Sequence, residues 1–106
     1  MALDPGQMRD RIEIWKATPG DWDHPVIFVH RCTIWCKVRY QSGREFRENS
    51  VAAGSEIATF SIRWRDDIDQ ADEIRFAGQR WDIAAIVPVG FKAGLDINAR
   101  SIGPAP

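Results

Sequence analysis

In Ile57-Ala58-Thr59-Phe60-Ser61-Ile62-Arg63-Trp64-Arg65, apolar and polar side chains alternate without a break from Ala58 onward. In an extended chain successive side chains point to opposite faces, so Ala58, Phe60, Ile62 and Trp64 share one face and Thr59, Ser61, Arg63 and Arg65 the other. That is a strand with one side in a core and one side facing outward. Downstream, Trp81, Ile83, Ala85 and Val87 are in phase across 79–87, and Leu95, Ile97 and Ala99 oppose Asp96, Asn98 and Arg100 across 95–100. Upstream, Ile12 and Ile14 are in phase across 11–17, while Ile34, Cys36 and Val38 oppose Thr33, Trp35, Lys37 and Arg39 across 32–40. Shorter strand candidates lie at 25–30 and 73–76. The second is joined to the strand at 79 through Ala77 and Gly78, a compact turn with glycine where a positive φ is needed.

Short strands separated by turn signals, with no helical pattern alternating between them, predict an all-β chain, a small antiparallel β-barrel or sandwich of about six to seven strands. Residues 41–55 break the rhythm and are long for a hairpin connection. Ser42 and Glu45 match a capping box and Gly54 stands where a helix would stop, so a short helix over about 43–53 is one reading. The apolar face of such a helix is thin, and Arg44, Glu45, Arg47 and Glu48 cancel in charge. A mobile segment, or one ordered by a partner, is the other reading. The chain is thus expected to be one all-β domain, 1–106, with a loop or short helix inserted at 41–55.

Composition narrows the function. With 106 residues, 44% of them hydrophobic, and five Trp and five Phe, the chain suits a single domain with a real core and leaves no room for a two-domain enzyme. Fourteen basic and fifteen acidic side chains give a formal net charge of -1, which supplies no overall field to hold a polyanion or an anionic membrane. No apolar run approaches the roughly 20 residues of a membrane span. No basic stretch followed by an apolar run marks an export signal, so a soluble, non-exported protein is expected.

The chemistry-bearing residues do not assemble into a reactive set. His24, His30, Cys32 and Cys36 lie close in sequence, but two cysteines four places apart on a strand have Cα atoms roughly 13 Å apart, beyond disulfide or shared-metal reach. Both are expected to be reduced and structural. Asp66, Asp67, Asp69, Asp72 and Glu73 crowd one connection, yet a calcium loop starting at Asp67 would need an oxygen ligand where Ala71 stands and glycine where Asp72 stands. The reading is a solvated strand connection. No Ser, His and Asp set and no glycine-rich phosphate loop is present, so catalytic, cofactor and metal sites are not expected.

Two surface readings remain. Phe60, Arg63, Trp64 and Arg65 interleave aromatic and basic residues, as in small OB-like barrels that bind single-stranded nucleic acid by stacking. Alternation places those aromatics opposite the arginines, and the near-neutral charge also argues against it; this stays the alternative function. Trp35, in contrast, falls on the polar face of its strand, where a large apolar group signals a partner. Trp35, Arg63 and Arg65 are therefore expected at an interface between subunits.

Taken in order, these elements resemble the head-tail joining proteins of long-tailed bacteriophages, a family that includes head-closure or stopper proteins. The likeness runs through Gly6, Gln7, Met8, Arg9, Asp10, Arg11 and Ile12 leading into the first strand, then Ile34, Trp35 and Val38, followed by Ser42, Gly43, Arg44 and Glu45. It continues through Phe60, Ile62, Arg63 and Trp64, the hairpin with Gly78 and Trp81, and the last strand with Leu95 and Ile97. Trp22, Asp23 and His24 depart from the usual first turn, as does Cys36 from the small residue common after the tryptophan.

The resemblance implies a single head-tail joining β-barrel domain, 1–106, and a non-enzymatic part of the virion neck, assembled in the host cytoplasm, in a phage, a prophage or a gene transfer agent. It implies a homo-oligomeric ring between a portal or adaptor ring on the capsid side and a tail-terminator ring on the tail side, with double-stranded DNA passing through without sequence specificity and no membrane involved. It also implies that Ser42, Gly43, Arg44, Glu45, Phe46, Arg47 and Glu48 form a channel-facing or partner-facing segment that helps retain packaged DNA.

Overall fold

The computed structural model describes residues 8–40 and 56–105. Six strands, β1 (Asp10–Pro19), β2 (Val26–Tyr40), β3 (Ile57–Arg63), β4 (Glu73–Phe76), β5 (Gln79–Val89) and β6 (Gly94–Pro104), close into a barrel in the order β1-β2-β3-β6-β5-β4. Every pairing is antiparallel, including β1 with β4, which completes the circle. The expected all-β barrel is therefore the fold, and the described residues contain no helix. The insertion expected at 41–55 lies outside the described residues.

The alternation of 57–62 fills the interior. Phe60 is fully buried and packs edge-on against both Trp81, at 5.2 Å between ring centroids, and Phe76, at 5.6 Å. Ile12, Ile14, Cys36, Ile62, Ile74 and Ile97 surround them in one cluster. Each large side chain removed from water here contributes about 1.5–3 kcal/mol, which makes this the main source of stability. Ala77 (φ 55) and Gly78 (φ 75) form the positive-φ turn expected between β4 and β5, whose backbone twist matches that of the paired strands.

Three expectations are corrected by irregular pairing. The candidates at 25–30 and 32–40 form the single strand β2; Ile14 pairs with Cys32 but Trp15 with His30, so Arg31 is an extra residue that reverses the alternation while the ladder continues. In β5, Ile83 pairs with Ala99 and Ala85 with Asn98, leaving Ala84 as an extra residue. Past it Ile86, not Val87, packs against the core, and Val87 is 46% exposed. β3 ends at Arg63, so Trp64 does not join the core face of Phe60 and Ile62; it is 36% exposed.

Candidate interaction surface

The acidic connection between β3 and β4 is only partly the solvated excursion expected: Asp66, Asp69 and Gln70 are exposed, whereas Ile68 and Asp72 are buried. β3 and β4 are not neighbours in the barrel, and the chain between them packs Ile68 into the core. Asp72 is only 3% exposed. Its Oδ2 accepts hydrogen bonds from Lys16 Nζ at 2.8 Å and from the Asp69 backbone N–H at 2.8 Å, and its Oδ1 accepts from the Ala17 N–H at 3.2 Å. Lys16 Nζ also donates to the Asp67 carbonyl at 2.8 Å. Its pKa is raised, chiefly by the bond to Asp72. A buried carboxylate is tolerable because its lone pairs are satisfied by a cation and two amides.

Glu73 is buried in the same way on the barrel's outer wall, where Arg75 Nε donates to it at 2.9 Å and Arg80 Nε at 2.8 Å. Arg75 also lies 3.6 Å from the Trp15 ring centroid, and Trp15 Nε1 donates to Glu13 at 2.8 Å. This outer ladder covers polar side chains with one another, so it stabilises the wall and presents no bare apolar face.

The three residues expected at an interface do come together. The β2–β3 ladder spans only Lys37–Tyr40 opposite Ser61–Ala58. Beyond Lys37 and Ser61 the strands separate, and Trp35, Arg63 and Arg65 line one groove with Met8, Ile34 and Trp64, about 630 Å³ in volume. Trp35 is 54% exposed, with the Arg11 guanidinium 5.1 Å from its ring centroid. Lys92 Nζ lies 5.9 Å from the Trp64 centroid. Arg63 projects into solvent.

Arg65 has a different position from Arg63. It grips Asp67 with two bonds, Nε to Oδ1 at 2.9 Å and Nη2 to Oδ2 at 2.8 Å, and Arg31 adds a third contact at 3.3 Å. The Arg65 hydrogen bond is the main reason the Asp67 pKa falls to about 2. Arg65 thus holds the floor of the groove in place, and Arg63 is the cation offered outward.

The remaining candidates are dispersed. Ser42, Gly43, Arg44, Glu45, Phe46, Arg47 and Glu48 lie outside the described residues. Phe60 is interior and cannot stack a nucleic-acid base. His30 packs edge-on against Trp15 at 5.4 Å and shares a 3.2 Å hydrogen bond with Thr33, away from buried Cys36. Burial pushes the Cys36 thiol up to about 12, so it is an apolar filler rather than a nucleophile or ligand.

Sequence reasoning missed one surface feature. β1 and β2 continue past the barrel as a two-stranded ribbon, in which residues 16–19 pair with 26–29 and with no third strand. At its tip Trp22 is 96% exposed. A tryptophan standing between two aspartates in a turn was the available signal.

A family model described as phage head completion protein matches residues 3–101. The chain is also similar to the solution structure of protein SF1141 from Shigella flexneri 2a, with a TM-score of 0.65 and 22% identity over 93% of this chain and 96% of that one. At that identity the likeness concerns the fold. No match was found among curated proteins.

Proposed function

The chain belongs to the phage head completion protein family and has a structural role in completing the phage head, and on that premise we propose that it works as a ring-forming closure or connector protein of the virion neck. Copies of the barrel sit between a portal or adaptor ring and a tail-terminator ring, without catalytic activity, and duplex DNA passes along their common axis. The observation that carries this reading is the groove beside Trp35 and Trp64 on the outer wall of a barrel whose interior is filled by its own side chains. Exposed tryptophans flanked by cations are what a protein interface uses, since aromatic and Arg anchors carry most of the binding energy there. The formal charge of -1 supports a channel role, because a strongly basic lumen would bind phosphates and hold DNA back.

Retention of packaged DNA falls to the segment containing Ser42, Gly43, Arg44, Glu45, Phe46, Arg47 and Glu48. Its ends support this assignment: Tyr40 pairs with Ala58 on the neighbouring strand, so the segment leaves and returns at one end of the barrel. Electron microscopy of particles made with and without the chain tests the proposal. A symmetric ring of density at the head-tail junction, lost with the gene, is expected; its absence from the junction, or a single asymmetric copy, overturns the ring.

A further inference from the structure

The ribbon ends in an ordered knob. Gly20 N–H donates to the Pro25 carbonyl and Asp21 N–H to the His24 carbonyl, both at 2.8 Å. Asp21 Oδ1 accepts the N–H groups of Asp23 at 3.1 Å and His24 at 2.8 Å, a side-chain-closed turn. A Cβ on residue 20 would overlap the His24 carbonyl oxygen, so the turn requires glycine there. The base of the ribbon is fixed as well, since Asp72 binds both Lys16 Nζ and the Ala17 N–H. A backbone held at both ends thus presents Trp22 almost wholly to water. An exposed aromatic on a pre-ordered turn has already met much of the ordering cost of binding.

We propose that the Asp21-Trp22-Asp23 tip of one copy seats in the Trp35/Trp64 groove of the next, Trp22 entering between the groove tryptophans and Asp23 facing Arg63. Three observations select a second copy as occupant. The charges are complementary: the tip carries Asp21 and Asp23, while Arg63 and Arg11 stand at the groove and the groove's Arg65 is already held by Asp67. The groove's volume, about 630 Å³, accommodates an indole. Tip and groove are also separate on one chain: Trp22 lies beyond the far end of β2, and Trp35 lies near its middle. A tip-to-groove contact is therefore heterologous and repeats from copy to copy, the interface type that closes rings. This rests on the ring reading above and adds the residues that make the contact.

The test uses assembled particles in which p-benzoylphenylalanine replaces Trp22. Irradiation is expected to give a product of twice the chain mass whose cross-linked peptide contains Met8, Trp35 or residues 63–65. In parallel, Asp23→Arg and Arg63→Asp should each reduce incorporation into particles at least tenfold. The Asp23→Arg/Arg63→Asp double variant should recover to within about threefold of wild type. A ring present in the particles but cross-linked through position 22 to a different protein or to another surface, or a double variant no better than the singles, overturns the contact and leaves the ring standing. Absence of the chain from the neck removes the ring and this contact together.

Discussion

Lys16 on β1 and Asp72, the residue just before β4, meet at 2.8 Å, with the Asp72 side chain almost fully buried. One pair thereby fastens the long β3–β4 connection and fixes the base of the β1–β2 ribbon. Breaking such a pair from one side strands a buried charge or leaves amides unpaired, which costs about 3–5 kcal/mol. Asp72→Ala is expected to lower Tm by more than about 10 °C for a domain of this size, measured by calorimetry. Because the folded Lys16 pKa lies above 10.5, its contribution is complete below that pH and is lost as pH rises through the folded value. Wild type should therefore lose stability in strong alkali more steeply than Lys16→Met, in equilibrium unfolding at matched ionic strength.

Asp67 governs the acid side. Its pKa is depressed from 3.8 to about 2, first by the Arg65 hydrogen bond. A depressed carboxylate stabilises the fold above its unfolded pKa and ceases to do so as pH falls through the folded one. Some 1–2 kcal/mol, discounted for partial exposure, should disappear between about pH 4 and pH 2. Urea unfolding across that range is expected to show a shallower pH dependence for Asp67→Asn than for wild type.

The extra residue at Ala84 makes a prediction opposite to simple alternation. Ile86→Ala should cost about 1–2 kcal/mol and Val87→Ala less than about 0.5, because only Ile86 packs on the core. Chemical denaturation of the two variants checks it; equal losses would mean that the register of β5 is wrong.

Residues 41–55 can be replaced by a short turn because Tyr40 and Ala58 are paired across β2 and β3. The shortened chain is expected to keep its circular dichroism spectrum and cooperative melting. Particles carrying it should fill and then lose DNA, or fail to join tails. DNA-full, tailed particles at normal yield would remove this segment from the closure mechanism.

Alternation determined that this chain is all-β and placed Phe60, Ile62, Trp81 and Ile97 in its interior, since a period of two gives each strand one face to bury; closure into a barrel was decided by the pairing of β1 with β4. The turn at Ala77 and Gly78 was marked by its glycine, and the outward position of Trp35 followed from alternation. It failed at Arg31 and Ala84, because a single inserted residue reverses the phase and leaves no mark in composition. It failed again at Asp72 and Glu73, whose burial depends on which cations the fold brings to them, Lys16 on β1 for Asp72 and Arg75 and Arg80 on β4 and β5 for Glu73. Tertiary structure also decided the groove: Trp35 lies on β2 and Arg63 and Arg65 at and just past the end of β3, and they share a surface because the β2–β3 ladder stops at Lys37 and Ser61. Side-chain polarity is a local property that a sequence displays. Where two strands part, and which charge meets which, depends on the register of the closed sheet.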